Sequence, residues 1–116
     1  MTEMLYILNA FSLGMLPEGK KNHLWVTEIS TETAANLVKI MSKMTNVVSA
    51  VGHKSTADLL TKLLGFEVAY NRVQVKLEKN DVALVFQLLT RLEEGRVLTE
   101  EELKNIGYKL YLVEVG

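Results

Sequence analysis

Residues 82–89, Val82-Ala83-Leu84-Val85-Phe86-Gln87-Leu88-Leu89, form a nearly unbroken apolar stretch. It is far too short to cross a bilayer, which takes about 20 apolar residues in a helix. Its composition fits a central strand covered on both faces. The residues before it follow another rule. Val73, Val75 and Leu77 alternate with Gln74, Lys76 and Glu78, the period of a half-buried strand. Lys79-Asn80-Asp81 lies between the two stretches and reads as a turn. Residues 71–89 are therefore expected to form an antiparallel hairpin.

The remaining segments alternate between strand and helix patterns. Residues 4–9 read as a short apolar strand, and 10–22, with Gly14, Pro17-Glu18-Gly19 and Lys20-Lys21, as a loop. Residues 23–29, including Trp25 and Val26, read as a second strand. Ser30 is placed to cap a helix reaching about residue 44, because Ala34, Leu37, Val38, Met41 and Met44 recur at helical spacing. Residues 46–51 give another strand. Ser55, with Asp58 after it, resembles a capping box. Leu59, Leu60, Leu63 and Leu64 would be the buried face of that helix, and Gly65 its stop. Thr99 is placed to cap a short helix with acidic residues in its first turn, and residues 108–115 return as a last strand. The expectation is one α/β domain spanning 1–116, with a mixed sheet of about five to six strands and two to three helices.

Composition narrows the function classes. A chain of 116 residues with 48% hydrophobic content can bury a sizeable core. Without cysteine it has neither disulfides nor thiolate metal sites, which suits a reducing cytoplasm. Met1-Thr2-Glu3-Met4 lacks the basic start of a signal peptide, and no partnership with a membrane is expected. The formal net charge is −1. Proteins that coat DNA or long RNA are usually basic, so any nucleic-acid partner should be small and met by local charge. Paired histidines and Gly-rich phosphate loops are also missing, and neither a metal nor a cofactor is expected.

Two stretches carry chemistry. Gly52-His53-Lys54-Ser55-Thr56 places a histidine where a loop enters a helix. Free backbone N–H groups at a helix N-terminus favour an anion. Gly52 lets a ligand approach the backbone closely, and Lys54, Ser55 and Thr56 add donors for phosphate oxygens. The plainer reading is a surface histidine satisfied by water. His23 lies in a strand-like segment without such surroundings and reads as structural. The second stretch is Arg91-Leu92-Glu93-Glu94-Gly95-Arg96. It is either a solvated turn or a functional loop leaving a central strand. In a hairpin, Arg72 and Arg91 would lie at the same end, opposite the turn, so that Arg72, Arg91 and Glu94 could converge. Asn9 and Ser12 bracket Phe11 after the first strand. That ring either belongs to the core or stacks on a base.

Taken in order, Leu8-Asn9-Ala10-Phe11-Ser12, Gly52-His53-Lys54-Ser55-Thr56, the run Asn71-Arg72-Val73-Gln74-Val75-Lys76-Leu77-Glu78-Lys79, and Arg91-Leu92-Glu93-Glu94-Gly95 before Leu98-Thr99 form a specific series. In these motifs, and over essentially its whole length, the chain resembles the viral anti-CRISPR ring nucleases that degrade cyclic tetra-adenylate. That family was first described as a domain of unknown function in archaeal viruses, and it also occurs in cellular genomes. Residues 13–22 depart from its pattern. The resemblance implies a homodimer that holds the cyclic tetranucleotide across the subunit interface and cleaves it without metal. The ribose 2′-OH would attack the adjacent phosphorus and leave linear di-adenylates with 2′,3′-cyclic phosphate ends. It implies His53 as general acid, and Glu94 as the carboxylate that orients His53 or accepts the 2′-OH proton. Arg72 and Arg91 would hold phosphates, and Asn9, Ser12 and Gln87 would contact the ligand. A ring of four identical nucleotides has a two-fold axis that an isologous dimer can match. The alternatives are a protein that sequesters the messenger uncut, and a dimeric interaction module outside messenger biology.

Overall fold

The computed structural model describes residues 4–89 and 99–116. The chain runs β1 (Met4–Leu8), a short 3-10 turn (Leu13–Met15), β2 (Leu24–Ile29), α1 (Thr31–Met41), β3 (Asn46–Ala50), α2 (Lys54–Leu64), β4 (Val82–Leu88), α3 (Glu100–Ile106) and β5 (Tyr108–Val115). Five strands form one mixed sheet in the order β2-β5-β4-β1-β3. β1 pairs in parallel with both β3 and β4, whereas β5 is antiparallel to both β2 and β4. The α/β architecture is the one expected from the sequence. None of the helices among the described residues is long and apolar enough to cross a membrane.

Alternation along the strands divides the core between the two faces of the sheet. Leu5 and Ile7 of β1, with Leu84 and Phe86 of β4, point toward the helices and meet Ala34 and Val38 of α1 and Ala57, Leu60 and Leu64 of α2. Leu8, Ala83, Val85 and Val113 point the other way and meet Val75 and Leu77, with Phe11, Met15 and Leu16 against them. β4 is thus covered on both faces, which is why its sequence is continuously apolar.

The expected hairpin does not form. Both sides of β4 are occupied, by β1 and β5, so residues 71–79 have no free edge to pair with. They cross the second face of the sheet as an extended cover. Val75 and Leu77 are buried beneath it, and Val73 is exposed. The Leu77 N–H donates to the Met15 carbonyl (2.7 Å), and Lys76 Nζ donates to the Gly14 carbonyl (2.9 Å). A turn does follow at 78–81, where Asn80 has φ of 75°. There the buried Asp81 accepts from the Glu78 N–H through Oδ2 (2.8 Å). Burial raises the pKa of Tyr6 above its ordinary 10.0, and the negative charges of Asp81 and Glu78 raise it further.

Candidate functional site

Parallel strands point their carboxyl ends to one edge of a sheet, and loops leaving that edge are the usual place for ligands in open α/β folds. Leu8 of β1 lies opposite Ala50 of β3 and Val85 of β4. The loops that follow, Asn9 after β1 and Val51-Gly52-His53 after β3, therefore emerge side by side. β4 ends and β5 begins at the same edge, with Leu88 opposite Tyr108. The chain thus leaves the sheet and re-enters it there. Arg91 and Glu94 belong to this connection and lie outside the described residues.

His53 is the N-cap of α2, in extended backbone conformation (φ −131°, ψ 121°). Its side chain is exposed and makes no capping hydrogen bond, and the first turn of α2 holds no acidic residue. This corrects the placement of the cap at Ser55. The helix bonding starts earlier, with the Ala57 N–H donating to the His53 carbonyl (2.9 Å). The end of β3 sets where the chain turns, and the Ser55–Asp58 spacing only imitates a cap. Ser55 and Thr56 are half-buried in the first turn, and Lys54 is exposed. The backbone N–H groups of that turn have no partners within the helix.

Two expected residues meet Gly52, the neighbour of His53 in the chain. Asn9 accepts the Gly52 N–H through Oδ1 (3.3 Å), which links β1 to the loop after β3. Arg72 lies against Gly52: its Cγ would be 3.3 Å from a Cβ at that position. Any larger residue at 52 would press on the Arg72 side chain, which would have to give by a few tenths of an ångström. Arg72 reaches this edge without a hairpin. After Gly65 (φ 62°) closes α2, the chain climbs back along β3. It forms a parallel bridge between Val51 and Tyr70.

The other candidates make hydrogen bonds outside this cluster. Gln87, near the end of β4, is exposed and donates through Nε2 to the Leu88 carbonyl (3.2 Å). The Ser12 side chain is exposed and caps nothing, while its carbonyl accepts the Met15 N–H (3.1 Å). His23 precedes β2 at the opposite end of the sheet, where its carbonyl accepts the Gly116 N–H (2.8 Å). Its placement separates it from His53. Among the described residues no three His, Asp or Glu side chains form a metal-ligand group.

Sequence reasoning left Ser49 out of the site and noted Asn71 only as the neighbour of Arg72 in a motif. The Asn71 N–H donates to the Val51 carbonyl (2.9 Å), and its Nδ2 donates to the Ser49 carbonyl (2.7 Å). Ser49 Oγ donates to the Ala69 carbonyl (2.6 Å). The available signal was a serine interrupting the apolar run of residues 46–51.

The chain is similar to several proteins of viruses and to one of a bacterium. Uncharacterized protein 26 of Sulfolobus islandicus filamentous virus (isolate Iceland/Hveragerdi) is 42% identical, over 97% of this chain and 92% of that protein. Uncharacterized protein YddF of Bacillus subtilis (strain 168) is 40% identical over 56% of this chain and 60% of its own length. The solved structure of B116 of Sulfolobus turreted icosahedral virus matches with a TM-score of 0.78 and 31% identity, covering 95% of this chain and 97% of that one. The family model described as STIV B116-like matches residues 5–110. On sequence and fold together, the chain belongs to the STIV B116-like family.

Proposed function

We propose that the chain is a metal-independent ring nuclease that cuts cyclic tetra-adenylate, the second messenger of type III CRISPR defence, into two linear di-adenylates. The observation that carries this reading is the convergence of Asn9, Gly52-His53 and Arg72 at an uncapped helix N-terminus on the carboxyl edge of the sheet. Donors of this kind suit a phosphodiester. The connection after β4, whose sequence carries Arg91 and Glu94, starts from the same edge.

The chemistry needs little from the protein beyond geometry and proton transfer, because the nucleophile is already tethered to the substrate. The 2′-OH attacks the adjacent phosphorus, the bond to the 5′-oxygen breaks, and a 2′,3′-cyclic phosphate remains. His53 in its protonated form gives its proton to the leaving 5′-oxygen. Glu94 takes the proton from the 2′-OH, or orients His53 while water takes that proton. Arg72, Arg91 and the first turn of α2 hold the phosphates. Asn9, Ser12 and Gln87 contact the nucleotides, and a homodimer places one such edge on each side of the ring. In a cell, the outcome is loss of the signal that activates the defence nucleases, in the cytoplasm where that signal is made.

The reading is tested by incubating the protein with cyclic tetra-adenylate in excess EDTA and identifying products by mass. Linear di-adenylate ending in a 2′,3′-cyclic phosphate is expected. Recovery of an intact ring from a tight complex would make the protein a sequestering one. Activity lost on chelation and restored by Mg²⁺ or Mn²⁺ would refute the metal-free mechanism.

A further inference from the structure

Arg72 is exposed, with a long side chain and no regular secondary structure on either side. A free arginine of this kind loses considerable rotamer and backbone entropy when it closes on a phosphate. The segment just before it is tied to Ser49 of β3 and to Val51 just beyond that strand. Tyr70 bridges Val51, the Asn71 N–H bonds the Val51 carbonyl (2.9 Å), and the Asn71 amide bonds the Ser49 carbonyl (2.7 Å). Ser49 Oγ bonds the Ala69 carbonyl (2.6 Å) from the other direction. β3 is the last strand of the sheet on this side. These bonds therefore use its outer edge, where another strand would pair.

We infer that Ser49 and Asn71 are positioning residues that hold Arg72 beside His53, a role that rests on the ring-nuclease reading above. Neither residue needs to touch the ligand. Asn71 is half-buried, with its side-chain N–H committed to Ser49. Val51 is fully buried and leads directly into Gly52-His53, so the clamp and the histidine share one rigid stem. Arg72 then lies along Gly52. The clamp thus sets the distance between the phosphate-holding cation and the proton donor before any ligand arrives. It lowers the ordering penalty of binding.

The test is a double-mutant cycle with a separate measurement on the free protein. Affinity for cyclic tetra-adenylate and the single-turnover cleavage rate at saturation are measured for wild type, Asn71→Ala, Arg72→Ala and the double variant, with Ser49→Ala as a second lesion in the clamp. Asn71→Ala should weaken binding about three- to tenfold, the usual worth of one hydrogen bond, with a smaller change in the saturated rate. In the Arg72→Ala background the same change should do almost nothing, because the residue it positions is gone. Equal losses in both backgrounds would overturn the proposal, as would unchanged affinity in both Asn71→Ala and Ser49→Ala. In the ligand-free protein, ¹⁵N relaxation of the Arg72 backbone and Nε–H should show greater motion in Asn71→Ala than in wild type. Unchanged motion there also overturns the clamp. Failure of wild type to bind the ring refutes the ring-nuclease reading instead, and the relaxation result separates the two failures.

Discussion

At the residue scale, two histidines of one chain serve as each other's controls. His53 stands at the start of α2 on the carboxyl edge, and His23 lies at the far end of the sheet. Under the proposed mechanism His53→Ala should slow single-turnover cleavage by about 10²–10⁴-fold, the range for losing a general acid. His23→Ala should leave the rate near wild type, and equal effects would remove the assignment. Tyr6 gives a prediction independent of function. Its folded pKa lies above the unfolded value of 10.0, first through burial and then through Asp81 and Glu78. The native state therefore favours the protonated phenol. The contribution is fully present below pH 10 and is lost as pH rises through the folded value. Denaturant unfolding measured from pH 9 upward should show stability falling in that window, and Tyr6→Phe should flatten the fall. An identical slope in the variant would contradict it. The sequence pointed to the Asn9, His53 and Arg72 loops by residue type. It was silent on the Asn9–Gly52 bond, because those residues are 43 apart in the chain and only the parallel pairing of β1 with β3 brings them together.

At the element scale, legibility followed how far each signal was local. β5 begins after Gly107, whose φ is 87°, and occupies the bounds read from its pattern. α1 starts where Ser30 was expected to cap it, with Ser30 Oγ accepting the Thr33 N–H (3.1 Å). It ends at Met41, short of residue 44. Met44 is 79% exposed, so its helical spacing from Met41 was coincidence and not part of the buried stripe. Residues 71–79 failed for a deeper reason. Alternation records which side chains are buried, not what the backbone bonds to, and a cover lying across a sheet alternates as a strand does. The α1 cap is testable: Ser30→Ala should lower stability by about 1 kcal/mol, a fall of roughly 3–6 °C in Tm for a chain of this size. Thermal unfolding followed by far-UV circular dichroism would measure it, and an unchanged Tm would deny the cap its role.

At the scale of the whole molecule, the proposed mechanism calls for a site shared between two copies of the chain. The ring of the proposed substrate carries four phosphates, and the chain has a net charge of −1, so the proposed site depends on local cations. The described part of the carboxyl edge holds Arg72, Lys54 and the first turn of α2. Two copies related by a two-fold axis would double that set around a ring with the same symmetry. A tagged heterodimer of one wild-type and one His53→Ala chain, followed in a single turnover shorter than subunit exchange, tests this most directly. One cut at a near-normal rate and accumulation of linear tetra-adenylate are expected, because the second cut lacks its acid. Rapid formation of di-adenylate with no linear tetranucleotide would contradict a site shared between subunits. Absence of any cut, with wild-type homodimer equally inactive, would contradict the nuclease itself.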